Sequence, residues 1–312
     1  MDLVTIEDVR AAAERIEGVA VRTPLLRCLW GDPERPLWIK PENLQPTGAF
    51  KIRGAHNAVA RLAGQPVIAH SSGNHAQALA YAARAAGVPV TIVMPDSAPT
   101  VKIERTRALG AEVILVPIAE REERAAELVK ERGGAFIPPF DHPDVIAGQG
   151  TVGLEIAADL PDVDVVLVPI SGGGLISGVA TAIKALTPSA RVIGVEPALA
   201  ADVAASFRQG SQVHLPLADR ARTIADGLRM EPSELTYAHI TAYVDDVVTV
   251  TEDEIRSAIR TIAHEARLVA EPSGAVTIAA YLNRAEALPA GRTVAVVSGG
   301  SVDPAAFLSY LS

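Results

Sequence analysis

Short apolar strands that alternate with helical segments constrain the fold of this chain more than any other feature. Runs of this kind are Val67–His70, Val90–Met94, Val163–Pro169 and Thr293–Val297. After each of the first three come turn residues and then a stretch of helical length. Continuous apolar strands of this type are buried on both faces of a sheet built from βαβ units. The chain is therefore predicted to be an α/β protein with parallel sheets.

The order of these elements also predicts two domains. A proline-rich break lies at 138–143, and we expect a small domain at 63–142 inserted into a large domain at 1–62 and 143–312. The 312 residues include 49% hydrophobic and 4% aromatic residues, which suits buried strands covered by Ala-rich helices. The periodicity is weakest over 209–246, where we expect a long irregular excursion.

Composition narrows the class of function. The formal net charge of −9 argues against nucleic acid or an anionic membrane as the main partner. Cys28 is the single cysteine and cannot form an intrachain disulfide. The N-terminus lacks the pattern of a signal peptide and no apolar run is long enough to span a bilayer. We expect a soluble cytoplasmic protein.

The segment from Pro46 to Ala55 carries one unusually placed lysine. Lys51 follows an apolar Ala-Phe pair and lies between Gly48 and Gly54. A lysine is usually a solvated surface charge, but here Phe50 can desolvate the amine. Desolvation lowers the pKa of a lysine, as Schiff-base chemistry requires.

Three loops at predicted strand ends have residues that could bind a ligand beside this lysine. In Ser171–Leu175, consecutive glycines expose backbone N–H groups at a helix start, which favours an anion such as phosphate over a simple tight turn. Ser71–His75 could bind a carboxylate or a phenolic oxygen, or only cap a helix. Ser298, before Gly299, could bond a ring nitrogen, or only precede a glycine turn.

Two carboxylates suggest a metal-binding site, although less strongly. Glu196 and Asp202 follow the predicted strand Val192–Val195 and could bind a hard cation with a carbonyl between them. Surface carboxylates near a helix start are the commoner arrangement.

Taken together and in this order, the motifs resemble the serine/threonine dehydratase and serine racemase group of fold-type II, tryptophan synthase β-like, pyridoxal phosphate enzymes. The resemblance covers essentially the whole chain. Its motifs are Pro46–Ala55, Ser72–Ala78, Gly148–Thr151, Gly172–Gly178, Gly194–Pro197, Ala225–Gly227 and Ser298–Gly300. It implies two parallel-sheet, three-layer domains and a homodimer or another homo-oligomer.

The resemblance also implies roles for individual residues. Lys51 would hold pyridoxal phosphate covalently and act as the base at Cα, with Phe50 against the ring. Ser72 would be the hydroxyl on the opposite face, which protonates Cα in racemases of the group. The remaining cofactor contacts would be Asn74 at the phenolic oxygen, Ser298 at the ring nitrogen, and Gly172, Gly173, Gly174 and Leu175 at the phosphate. The substrate carboxylate would be bound by Ser71, Ser72, Gly73, Asn74 and His75, and Mg²⁺, Mn²⁺ or Ca²⁺ by Glu196, Asp202 and the carbonyl of Ala200.

The chain departs from the family pattern at two positions. Ala49 replaces the usual serine before Phe-Lys, and Ser171 begins the glycine loop where glycine is common. The expected activity is β-elimination of a β-hydroxy amino acid, as in serine and threonine dehydratases, to a 2-oxo acid and ammonia. Serine racemisation and dehydration of 3-hydroxyaspartate are alternatives, and a non-catalytic binder of the cofactor is an alternative of a different class.

Overall fold

The computed structural model describes residues 2–71, 73–98 and 100–312. The strands are β1 (Leu26–Asp32), β2 (Arg35–Pro41), β3 (Val67–His70), β4 (Val90–Pro95), β5 (Glu112–Val116), β6 (Ala135–Phe136), β7 (Val165–Pro169), β8 (Arg191–Pro197), β9 (Asp246–Val250) and β10 (Thr293–Val297). The α-helices are α1 (Ile6–Ile16), α2 (Lys51–Ala60), α3 (Asn74–Ala86), α4 (Thr100–Ala108), α5 (Arg121–Arg132), α6 (Pro143–Asp159), α7 (Gly174–Leu186), α8 (Asp202–Gln209), α9 (Leu217–Arg220), α10 (Glu234–Tyr243), α11 (Glu252–Thr261), α12 (Pro272–Asn283) and α13 (Pro304–Leu311).

The larger sheet has six strands in the order β1-β2-β10-β7-β8-β9. Every neighbouring pair is parallel except β1 and β2, which form an antiparallel edge. Side chains along a strand alternate between the two faces. Leu167 therefore packs with α11 and α12, whereas Val166 and Val168 pack with α6 and α7. The sheet is the middle of three layers.

The smaller sheet has four parallel strands in the order β5-β4-β3-β6. Val67 and Ala69 of β3 pack with α2 and α3, and Ile68 packs with Leu128 of α5 on the other face. The predicted fold class, two parallel-sheet three-layer units, is confirmed. The residue boundaries of the two domains stay a prediction, and α2 packs on the smaller sheet although it precedes residue 63.

The expectation of an irregular excursion over 209–246 is wrong in part. This region contains α9 and α10, and α10 begins with a capping box in which the Ser233 side chain accepts from the Thr236 amide. The buried residues of α10 include Thr236 and His239, so its buried face is not a stripe of apolar residues. His239 is retained there because its Nε2 accepts the backbone N–H of Val4 at 2.9 Å.

The topology brings the predicted site residues to one edge of each sheet. The loops after β3, β7 and β10 leave the carboxyl ends of parallel strands, which is where ligands bind in α/β folds. Across the described ranges, no helix is both long and apolar enough to cross a membrane.

Candidate active site

Lys51 is the first residue of α2, and its amine is held inside the protein. Nζ donates to the carbonyl of Pro139 at 2.6 Å and lies 5.1 Å from the centre of the Phe50 ring. The residue keeps some exposed surface, yet desolvation by the surrounding protein lowers its pKa from 10.5 to about 8. An amine with this pKa is a much better nucleophile and base at neutral pH than an ordinary lysine.

Backbone hydrogen bonds fix the lysine segment to the end of β10. The Phe50 amide donates to Ser298 O at 3.0 Å, and the Gly300 amide donates to Gly48 O at 2.8 Å. Ala49 and Gly299 form an antiparallel bridge between these two bonds. Main-chain hydrogen bonds therefore hold Lys51 and Ser298 close together, and the buried Ala49 lies between these bonds.

The glycine loop connects β7 to α7 and has little room for side chains. Gly173 adopts φ +87°, and a Cβ there would lie 2.8 Å from Thr236. A Cβ on Gly172 would lie 2.4 Å from the Phe140 ring. The first amides of α7 have no acceptor within the helix and are available to bind an anion.

Pro139 and Phe140 join the lysine to this loop. Pro139 accepts the hydrogen bond from Lys51, and the next residue, Phe140, packs against the Cα atoms of Gly172 and Gly174. The amine and the glycine loop are thus neighbours, although 120 residues separate them in the sequence. From the sequence, residues 138–143 are interpreted as a break between domains and the loop at 138–147 as a determinant of substrate selectivity, but the contacts of Pro139 and Phe140 with Lys51 and the glycine loop are missed.

Ser171, the departure from the family pattern, has a clear structural partner. Its Oγ donates to Met230 O at 2.8 Å and accepts the Met230 amide at 2.9 Å. The serine anchors the glycine loop to the segment before α10. The three glycines that follow it, Gly172, Gly173 and Gly174, match the family pattern.

The loop after β3 places Asn74 at the start of α3 and facing the larger sheet. Asn74 Nδ2 donates to Glu271 Oε1 at 2.7 Å, and Ser71 Oγ accepts the Gly73 amide at 3.3 Å. His75 is buried, and its Nε2 contacts Ile137 O at 2.9 Å. Burial, with a smaller effect of the Lys51 charge, lowers the pKa of His75 to about 3. The imidazole is neutral and serves the packing of α3. Ser72 lies outside the described residues.

Ser298 and Glu271 lie on the opposite wall of the site. Ser298 is buried and its Oγ donates to Ser273 O at 3.4 Å. Glu271, which sequence reasoning noted only as a helix start, is also buried. Desolvation, followed by the charge of Asp226, raises the pKa of Glu271 to about 7. A buried acid followed by proline before a helix was the available signal for it.

The two carboxylates considered for a cation are also buried. Glu196 accepts the amides of Val203 and Ala204 at 3.1 and 2.8 Å, and Asp202 Oδ2 has no hydrogen-bond partner among the described residues. Desolvation and the charge of Asp202 raise the pKa of Glu196 well above 4.5. Desolvation raises the pKa of Asp202 to about 6. Within the described ranges, no group of three or more His, Cys, Asp or Glu side chains could hold a metal ion.

The arrangement around Lys51 fits pyridoxal phosphate. It offers a desolvated primary amine for the aldehyde and a helix N-terminus with a glycine loop for the phosphate. The Asn74 amide and the Ser298 hydroxyl supply neutral polar groups on two further sides.

Comparison with known proteins supports pyridoxal phosphate as the cofactor. The model of the family described as "Pyridoxal-phosphate dependent enzyme" matches residues 16–299. The chain is 45% identical over 311 residues to the L-threonine ammonia-lyase of Thermotoga maritima, covering 96% of this chain and 76% of that protein. It is 40% identical over 321 residues to the L-threo-3-hydroxyaspartate ammonia-lyase of Saccharomyces cerevisiae, covering 100% and 98%.

A solved structure of maize serine racemase superposes with a TM-score of 0.93 at 37% identity, covering 99% of this chain and 97% of the maize chain. The fold, the site and these relatives lead to one conclusion. The chain belongs to the pyridoxal-phosphate dependent enzyme family, in the group that includes threonine ammonia-lyases, hydroxyaspartate ammonia-lyases and serine racemases.

Proposed function

We propose that the chain is a threonine/serine ammonia-lyase, which converts a β-hydroxy amino acid to a 2-oxo acid and ammonia. The observation that carries the proposal is the desolvated Lys51 amine, joined to the glycine loop at α7 through Pro139 and Phe140. The relatives named above perform eliminations of this class, which supports the same reaction here.

Different residues of the chain have different roles in the proposed reaction. Bound pyridoxal phosphate supplies an electron sink for the electron pair left at Cα. The Lys51 amine takes the proton from Cα, and its lowered pKa keeps a useful fraction neutral near pH 8. Backbone amides of Gly172, Gly173, Gly174 and Leu175 would hold the phosphate. Phe50, Asn74 and Ser298 would contact the ring, its phenolic oxygen and its nitrogen, respectively. The β-hydroxyl leaves as water, and water later releases ammonia and the 2-oxo acid.

Substrate recognition is assigned to the loop after β3. The described residues of this loop, 71 and 73–75, lie at the start of α3, where a substrate carboxylate is stabilised. Ser72 is assigned to the same role from the family resemblance. Since the pKa of His75 is lowered to about 3, that residue contributes no positive charge. We also propose that the protein is cytoplasmic and that it forms a homodimer or another homo-oligomer.

A panel assay tests the proposal. The purified holoenzyme is incubated with L-threonine, L-serine, D-serine and L-threo-3-hydroxyaspartate, and 2-oxo acid, ammonia and the chirality of recovered serine are measured. Release of 2-oxo acid and ammonia in equal amounts is expected. If bound cofactor is present but no amino acid in the panel is turned over or racemised, the non-catalytic binder is correct.

Ser72→Ala separates racemisation from elimination. If Ser72 protonates Cα on the face opposite Lys51, its removal should lower serine racemisation by about 10²-fold, the lower range of general acid catalysis. Elimination from L-threonine in the same variant should fall by less than about 10-fold, because Lys51 removes that proton. Equal losses of both activities would contradict this role for Ser72.

We further propose that Glu196, Asp202 and the carbonyl of Ala200 bind Mg²⁺, Mn²⁺ or Ca²⁺. Support comes from the unpartnered Asp202 Oδ2, since a buried acceptor without a donor is what an oxygen-seeking cation would satisfy. After treatment with a chelator, returning the cation at 100 times its Kd should raise Tm by roughly 5 °C. Asp202→Asn should abolish the shift, whereas exposed Asp219→Asn should keep it. An unchanged Tm in the parent protein would rule out the site.

A further inference from the structure

Glu271 makes a contact that the proposed reaction does not yet use. It lies just before α12 on the larger sheet, and its Oε1 accepts the Asn74 Nδ2 hydrogen bond at 2.7 Å. Asn74 opens α3, which packs on the smaller sheet. A single side-chain hydrogen bond therefore joins the two layered units within the candidate active site.

The carboxyl group is held in place by the strand end that carries Ser298. The Glu271 amide donates to Gly299 O at 3.1 Å, and a Cβ on Gly299 would lie 2.3 Å from Glu271 Oε1. Only glycine at 299 leaves space for this carboxyl. Glu271 occupies the N-cap position of α12, but its side chain makes no capping hydrogen bond. Its orientation is therefore not explained by helix capping.

The surroundings of Glu271 make the carboxyl costly to bury. Asp226 adds a negative charge nearby, and Lys102 pairs with Asp226 at 3.3 Å. The salt bridges of the described residues include none to Glu271. A buried acid without a cationic partner costs stability unless a hydrogen bond or a function compensates.

We propose that Glu271 is a positioning residue that sets which face of the Asn74 amide meets the cofactor. Glu271 Oε1 accepts the hydrogen bond from Asn74 Nδ2. An unprotonated oxygen of a carboxyl group accepts hydrogen bonds in either charge state of that group, so Nδ2 is the group of Asn74 that faces Glu271. The second Nδ2 hydrogen is then available to the phenolic oxygen of the cofactor, while the amide carbonyl, which would repel that oxygen, is turned away. The inference rests on the proposed function, in which Asn74 contacts that oxygen.

The test uses the holoenzyme and measures the Kd for pyridoxal phosphate, the absorbance spectrum of the bound cofactor, and Tm. Glu271→Ala should raise the Kd about 10-fold and shift the spectrum in the same direction as Asn74→Ala. The double variant should be no worse than either single variant, because both remove the same contact. Glu271→Gln should stay close to the parent, since its amide oxygen can still accept from Asn74. Exposed Glu265→Ala is the control for loss of a carboxyl.

An exchanged pair distinguishes positioning from a purely structural hydrogen bond. Asn74→Asp combined with Glu271→Gln keeps a donor facing an acceptor but offers a carboxylate to the phenolic oxygen. Tm should return to within a few degrees of the parent, while the Kd stays raised by about 10-fold or more. Recovery of both Tm and Kd would overturn the proposal, as would independent, multiplying effects of Glu271→Ala and Asn74→Ala on the Kd.

The experiments distinguish a failure of the proposed lyase function from a failure of the proposed role of Glu271. A parent protein that binds the cofactor and responds to Asn74→Ala, but releases no 2-oxo acid, disproves the lyase activity and leaves the positioning role intact. If the parent protein is an active lyase, and Glu271→Ala changes neither the absorbance spectrum nor the Kd for pyridoxal phosphate, only the positioning role is disproved.

Discussion

Lys51→Ala is expected to abolish lyase activity, with a loss of roughly 10⁴-fold, the upper range for a general base. The reason is that, in the proposed function, one amine both holds the cofactor and takes the Cα proton. Borohydride reduction of the parent holoenzyme followed by peptide mass analysis should place the cofactor on Lys51. The variant should show no such adduct.

The pH dependence of cofactor capture provides a second measurement on the same residue. The neutral amine is the nucleophile, and burial lowers the pKa of Lys51 to about 8. The rate at which apoprotein captures pyridoxal phosphate should therefore rise with pH up to about 8 and then level off. A lysine with an unshifted pKa of 10.5 would keep gaining rate above pH 9.

Lys130→Ala is the matched control, because Lys130 is an exposed lysine of α5. It should retain the parent adduct, spectrum and turnover. A reduced adduct on a lysine other than Lys51, or full turnover by Lys51→Ala, would contradict the assignment of the site.

Local sequence patterns predicted the parts of the fold that depend on neighbours in the chain. Apolar runs identified β3, β4, β7 and β10, and the loops after three of them carry the predicted site residues. A capping box formed by Thr251 and Glu254, whose spacing can be read from the sequence, begins α11. These signals work because strand burial and helix capping involve residues a few positions apart.

Contacts between residues that are far apart in the sequence could not be predicted from these local patterns. The Asn74–Glu271 hydrogen bond spans 197 residues, and the Lys51–Pro139 bond spans 88. In the sequence, Glu271 resembles any acidic residue before a helix. Pro139 contributes its backbone carbonyl, and the identity of a side chain gives no information about such a contact. The antiparallel strand β1 and the short edge strand β9 were also missed, since each is only partly buried. Family resemblance supplied the roles of Asn74 and Ser298, and their positions stay consistent with those roles.

A buried cluster of charges directly behind Lys51 leads to the second large prediction. Arg53 Nε donates to Glu42 Oε2 at 2.7 Å, and its Nη1 donates to Glu155 Oε1 at 2.6 Å. Lys40 Nζ donates to Glu155 Oε2 at 2.6 Å. Arg53, Lys40 and Glu42 are fully buried. Two cations and two carboxylates balance each other, and the neighbouring Arg53 guanidinium keeps the pKa of Glu42 below its usual value despite the opposing effect of desolvation.

This cluster fixes the first turn of α2, on which Lys51 lies. Thr151 of α6 also accepts from Arg53 Nη1 at 3.0 Å. Close approach of the two helices is possible because both have glycine there: a Cβ on Gly148 would lie 2.6 Å from the Cα of Gly54. The motif at 148–151 thus packs against the helix that carries Lys51.

Arg53→Leu should lower the free energy of unfolding by about 3–5 kcal/mol, because two buried carboxylates lose their main partner. Urea denaturation of the apoprotein measures the loss. Arg61→Leu is the matched control: Arg61 follows the same helix and its pair with Asp144 at 3.0 Å is half exposed, so its loss should cost less than about 1 kcal/mol. Adding Glu42→Gln to Arg53→Leu leaves Lys40 and Glu155 as a neutral pair and should recover about half of the stability. Equal losses for Arg53→Leu and Arg61→Leu, or no recovery in the double variant, would show that packing rather than charge balance holds Lys51 in place.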